Sequence, residues 1–173
     1  MKGRDMLDRL LRDHRLIREK AQALLQLLDH ETMPSRALLA ETRWRVGSHI
    51  MQHLAFEDRH LYAKLLQDER PHVRERGQQF QAELATLFAE YAQHAQYWTP
   101  DRIASEWSRF RVESRRMTLA MFARIDLEEV ELYPLATNAA IDMKTNVAPT
   151  TNWTREAFAI KDAITKGACT LPA

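Results

Sequence analysis

Apolar residues recur along this chain at helical spacing, in four long stretches separated by short breaks. The first stripe is Leu7, Leu10, Leu11, His14, Ile17, Ala21, Leu24, Leu25 and Leu28. Its i, i+3, i+4, i+7 pattern is that of one helix face and predicts a helix over residues 5–29. Residues 30–34 break the pattern, with Thr32 or Ser35 available as caps and Pro34 suited to a helix start. A second helix is predicted over 35–68, its seam reading Leu39, Val46, Ile50, His53, Glu57, His60 or Leu61, and Leu65. A third starts at Pro71 and carries Val73, Gly77, Phe80, Leu84, Leu87, Phe88 and Tyr91 toward Tyr97. Thr99 caps the fourth and Pro100 occupies its first turn; its seam is Ile103, Trp107, Phe110, Met117, Met121, Arg124, Glu128, Leu132 and Leu135. Four amphipathic helices with short joints predict an all-α, antiparallel up-down-up-down four-helix bundle over residues 5–136. Periodicity lapses over 137–151, and a short helix is expected from Thr151 or Asn152 to Gly167. This extension, 137–173, is expected to pack on the bundle or on a second subunit, so a homodimer stays open.

Three of the four seams are interrupted by groups that are costly to bury unpaired. The first helix has His14; the second has His53 and Glu57; the fourth has Arg124 and Glu128. The last two pairs are spaced i, i+4 and so share a face. With a rise of about 1.5 Å per residue and antiparallel neighbours, all five fall at one level of the bundle. The third helix presents Phe80, Leu84 and Leu87 there. A lone core histidine is ordinarily a hydrogen-bonded structural residue, and an Arg–Glu pair on a helix is ordinarily a solvated one. Convergence of two imidazoles and two carboxylates is different, because these are the ligand types for iron, manganese or zinc.

Composition narrows the field further. The formal charge of +1 gives no global field toward nucleic acid or an acidic membrane, and no partner of either kind is expected. One cysteine, Cys169, makes no internal disulfide or thiolate cluster. Neither a signal-type apolar segment nor a membrane span is visible, so the cytoplasm is the expected compartment. His49 and His60 read as rim positions, Arg109, Arg111, Arg115 and Arg116 as a solvated run, and Trp107, Phe110, Phe80 and Phe88 as core. No Gly-rich phosphate loop or nucleophile elbow appears, and no catalytic residue is assigned.

Asp13-His14, His53-Leu-Ala-Phe-Glu57-Asp58 with Leu61-Tyr62, and Glu128-Glu129 with Leu132-Tyr133-Pro134 together resemble the hemerythrin-like cation-binding domain. The His-x3-Glu-x4-Tyr spacing of the second helix returns in the fourth as Arg124-x3-Glu128-x4-Tyr133. The resemblance covers residues 5–136 and implies a four-helix bundle around non-haem iron, with bridging carboxylates. Carried over position by position, it assigns His14, His53, Glu57 and Glu128 as metal ligands. The positions of the second iron fall on apolar residues around Phe80, Leu84 and Phe88, and on Arg124, with His94 too far along to substitute. A degenerate site holding one divalent ion is therefore expected, iron first and manganese or zinc also compatible. Arg124 is expected to replace the second metal by donating to Glu57 and Glu128. Such a protein would serve as a metal, oxygen or redox responsive module. The alternative is a metal-free bundle, its polar groups joined in a salt-bridge network, acting as a structural or interaction module.

Overall fold

The structure, a computed structural model, describes residues 2–168; Cys169 and the segment after it lie outside the described residues. Among the described residues the chain is all helical, without a strand. Helix α1 (Lys2–Leu28) is followed by α2 (Arg36–Glu57), a π-turn over Asp58–Tyr62, and α3 (Ala63–Leu65). Then come α4 (Pro71–Tyr97), α5 (Pro100–Ser105) and α6 (Trp107–Leu127). A second π-turn over Glu128–Leu132 leads into α7 (Tyr133–Asn138), and α8 (Trp153–Thr165) ends the described chain. Among the described residues, no helix is long and apolar enough to cross a membrane.

Local chemistry sets these boundaries. Ser35 Oγ accepts from the Leu38 amide, Thr99 Oγ1 from Arg102 and Asn152 Oδ1 from Arg155, each satisfying an amide that the first turn leaves free. Of the two expected caps for the second helix, Ser35 is the one used. Helix α1 has no basic residue in its last turn. Arg111 supplies the missing positive group from α6, its Nε donating to the Leu28 carbonyl at 2.6 Å, while Arg115 pairs with Asp29. These two arginines belong to the run expected to be solvated; they stay partly exposed and also clamp the end of α1.

The expected second and fourth helices are not continuous. The second yields to a π-turn immediately after Glu57. The fourth is broken at Glu106 (φ −129°, ψ 39°), where neither Gly nor Pro announces it, and again by the π-turn that starts at Glu128. Pro134 explains the latter, since its ring collides with the carbonyl four residues back in a regular helix and a wider turn relieves that clash.

Among the described residues, buried side chains gather in three clusters. Leu10, Leu61, Leu65, Phe80, Leu132 and Ala136 close one end; Leu24, Leu28, Leu39, Trp98, Trp107 and Phe110 close the other. The start of α1 thus lies beside the end of α2 and its end beside the start of α2, so the two run in opposite directions. In the third cluster Ile160 and Ile164 of α8 pack on Ala40, Met51 and Leu54 of α2 and on Ala95 of α4. Burying each such isoleucine contributes roughly 1.5–3 kcal/mol. The segment between α7 and α8 is held at the Asp58 carboxylate, which accepts from the Thr150 amide and hydroxyl (both 2.8 Å), the Thr151 amide (3.2 Å) and Trp153 Nε1 (2.9 Å).

Candidate metal centre

His14, from the middle of α1, has no exposed surface; His53 and Glu57, one turn apart at the end of α2, are buried, as is Glu128, the first residue of the second π-turn. His14 Nε2 lies 3.1 Å from His53 Nε2 and 3.2 Å from Glu128 Oε2. One nitrogen from each imidazole and one Glu128 oxygen fall within 4.8 Å of one another. Glu57 sits slightly apart, its Oε2 3.7 Å from His53 Nε2. The Tyr133 hydroxyl adds a fourth polar atom, 3.0 Å from His14 Nε2.

An outer carboxylate orients the His14 ring. Glu129 Oε1 is 2.9 Å from His14 Nδ1, which assigns the proton to that nitrogen and leaves Nε2 with its lone pair facing inward. Asp13 lies on the corresponding side of His53, 3.9 Å from Nδ1 and beyond hydrogen-bond reach. His53 Nε2 nevertheless lies 3.1 Å from His14 Nε2, so both nitrogens turn toward the same point.

Two features of this group are hard to reconcile with hydrogen bonding alone. An imidazole nitrogen offers either one proton or one lone pair, yet three polar atoms crowd His14 Nε2 at 3.0–3.2 Å. In addition, among the described residues both oxygens of Glu57 and Nδ1 of His53 are buried without a hydrogen-bond partner, in a class of group that is nearly always satisfied. Two ligands each about 2.1 Å from a cation and 90–109° apart lie about 3.0–3.4 Å from one another. The two spacings from His14 Nε2, 3.1 Å to His53 and 3.2 Å to Glu128, match. The donor set, imidazole nitrogen with carboxylate oxygen, suits a divalent ion of the iron, manganese or zinc type.

Burial, reinforced by the neighbouring Glu128, holds the Glu57 carboxyl well above its ordinary range. Burial acts on Glu128 in the same direction, but the contact with His14 and the positive charge of Arg124 outweigh it and keep that carboxyl below its ordinary value. Burial also lowers His53 and pushes the Tyr62 and Tyr133 hydroxyls far up.

Arg124 is buried and donates through Nε to Glu128 Oε1 at 2.6 Å, and through one terminal nitrogen to the Tyr62 hydroxyl (2.6 Å) and the Phe80 carbonyl (2.9 Å). Its other terminal nitrogen is 3.4 Å from Glu83 Oε2. The expected bond from Arg124 to Glu57 is not formed, and the four-way network that would have included Glu57 is incomplete. The third long helix, expected to be wholly apolar at this level, contributes the half-exposed Glu83 and the Phe80 carbonyl. Sequence periodicity had no access to either, one being off the seam and the other a backbone atom.

The π-turns explain a spacing visible in the sequence. Glu57 and Tyr62, like Glu128 and Tyr133, are five residues apart, which at about 100° per residue would place them on different faces of an α-helix. A π-turn, with its i to i+5 bonding, brings such a pair back to one side. Tyr62 consequently reaches Arg124, and Tyr133 reaches His14.

Asp58, adjacent to Glu57 in the motif, does not join the group; it anchors the α7–α8 connection. His60 stacks on Phe56 and bonds the Met143 carbonyl, and His49 Nδ1 lies 3.0 Å from the Arg45 carbonyl. Neither faces the centre. Comparison of the chain with protein-family models, with curated proteins and with solved structures finds no match.

Proposed function

We propose that this chain is a hemerythrin-like metal-binding protein, its four long helices forming an antiparallel four-helix bundle that holds one divalent ion through His14, His53 and Glu128, with Glu57 as a further carboxylate. The observation that carries the reading is the convergence of His14 Nε2, His53 Nε2 and Glu128 Oε2, beside a buried Glu57 whose oxygens accept no hydrogen bond among the described residues. Arg124 supplies a fixed positive charge to Glu128, as a second cation would. Glu129 sets the tautomer of His14, and the Tyr62 and Tyr133 hydroxyls line the centre. When bound, the ion supplies Lewis-acid or one-electron chemistry in a site shielded from bulk water. Iron is the first candidate, and a metal, oxygen or redox responsive role follows from it.

A second reading, a metal-free bundle serving as a structural or interaction module, draws on the completeness of the Arg124 contacts. It leaves Glu57 unexplained. Elemental analysis of protein reconstituted in turn with Fe(II), Mn(II) and Zn(II), with the His14→Ala, His53→Ala double variant beside it, separates the two. The metal reading expects about one ion per chain, lost in the variant and lost below about pH 6 as imidazole ligands protonate. Absence of stoichiometric metal in every reconstitution, with the protein folded, overturns it.

A further inference from the structure

Behind the candidate centre the helices do not close completely. A cavity of about 100 Å3 extends from His53, Arg124 and Glu128 to Arg43, Tyr91 and His94. Its α2 wall alone, from Arg43 to Leu54, spans about 16 Å of helix axis, so the space is long and narrow. Most of the side chains between its ends are apolar, among them Val46, Ile50, Leu87, Phe88 and Met121. Leu84 and Leu87 of α4 and Met117 and Met121 of α6 are only half-buried, which places the mouth between those helices.

The two arginines on this cavity differ in one respect. Arg124 is matched by Glu128 and Glu83. Arg43 is 6% exposed, and among the described residues its one hydrogen bond goes to the Trp98 carbonyl, at 3.2 Å, with the Phe110 ring 5.3 Å away. No carboxylate among the described residues pairs with it. A buried guanidinium without a counter-ion is costly, and removing this cost is what an anion on the cavity side would do. The opposite end disfavours an anion, because the Glu128 carboxylate lines it.

We propose that the cavity is a binding site for a small amphipathic carboxylate, of the alkanoic-acid class, its head group on Arg43 and its apolar chain lying along the cavity toward the histidines. A hydrocarbon chain fits a long, apolar space, and a bidentate carboxylate fits the planar fork of an arginine. Ser114 Oγ, 3.1 Å from His94 Nε2, lies on the same wall and offers neutral hydrogen bonding near the head group. The inference does not depend on the metal reading and is tested on metal-free full chain.

Calorimetric titration with octanoate and with 1-octanol measures both parts of the claim. Octanoate is expected to bind saturably, one per chain, and about tenfold or more tighter than the alcohol, the difference being the charge-assisted contact. Arg43→Gln is expected to remove that advantage while leaving the alcohol's affinity unchanged. Arg43→Met serves if the first variant does not fold. Leu87→Trp, at the half-buried mouth, is expected to weaken both probes. Failure of octanoate to saturate, equal affinity for acid and alcohol, or octanoate binding that survives both Arg43 substitutions overturns the proposal.

Discussion

Arg124, near the end of α6, joins three other elements: Glu128 in the second π-turn, Tyr62 in the first, and the Phe80 carbonyl and Glu83 of α4. Replacing it by Met leaves Glu128 buried without its cation and two further groups without a donor. An uncompensated buried charge costs about 3–5 kcal/mol, so denaturant unfolding of metal-free Arg124→Met is expected to show a loss of that order. Arg124→Lys is expected to recover only part, since an ammonium cannot reproduce the planar fork. A contrasting single-residue case is Ala140, which ends α7 with φ 53°, while the Ile141 amide bonds back to the Ala136 carbonyl at 3.0 Å. This is the left-handed position that glycine favours after a helix. Ala140→Gly removes the Cβ strain and is expected to raise stability by about 1 kcal/mol, less whatever the more flexible unfolded chain takes back. A midpoint unchanged or lowered in thermal unfolding would show that the strain is absent.

Helices were legible where apolar residues repeat and where caps are chemical, as at Ser35, Thr99 and Asn152; their internal irregularities were not. The turn at Glu128–Leu132 has a cause in Pro134, but the one at Asp58–Tyr62 has no Gly or Pro, and only the repeated Glu-x4-Tyr spacing hinted that both helices widen just past their glutamates. The site residues His14, His53, Glu57 and Glu128 stood out because each interrupts an apolar seam. Arg43 carries the same signal: with Leu39, Val46 and Ile50 it completes a heptad-like run. Ser114 and Thr118 likewise interrupt the α6 stripe between Phe110 and Met121. Asp58 gave no such signal, because what it binds, two amides and two side chains, lies far along the chain. Its role is testable at the level of the element it holds. Asp58→Ala leaves the Thr150 and Thr151 amides and the Trp153 indole without their acceptor, and is expected to cost about 2–4 kcal/mol. Hydrogen exchange is expected to rise over 145–153 first, with α1 unaffected; uniform acceleration across all helices would instead mean that the connection and the helices unfold as one unit.

For the whole molecule, acid is the condition that separates its buried histidines from its buried carboxyl. Burial, aided by the positive charge of Arg43, lowers His94 to about 4, while Glu113 opposes the shift and Arg116 adds to it from α6. An unfolded histidine titrates near 6.5. Between those values the unfolded chain binds more protons than the folded one, so stability is full above about pH 6.5 and is lost as pH falls toward 4. The loss attributable to His94 is at most about 3 kcal/mol. His53, also lowered by burial, adds a loss of the same sign. Glu57 works in the other direction: its raised folded value makes its contribution greatest below the ordinary carboxyl range and smaller as pH rises through that value. A single wild-type profile mixes these, and the variant difference isolates one. The metal-free His94→Gln protein is expected to lose less stability than wild type between pH 7 and pH 5 in denaturant titrations, because its amide does not take up a proton and Ser114 can still hydrogen-bond it. Octanoate sharpens the test, since an anion seated on Arg43 relieves the repulsion that helps keep His94 neutral and should shift the wild-type acid transition while leaving that of His94→Gln less affected. Parallel profiles for the two proteins without ligand would place the acid sensitivity at His53 and the metal-binding layer instead of at the Arg43 end of the cavity.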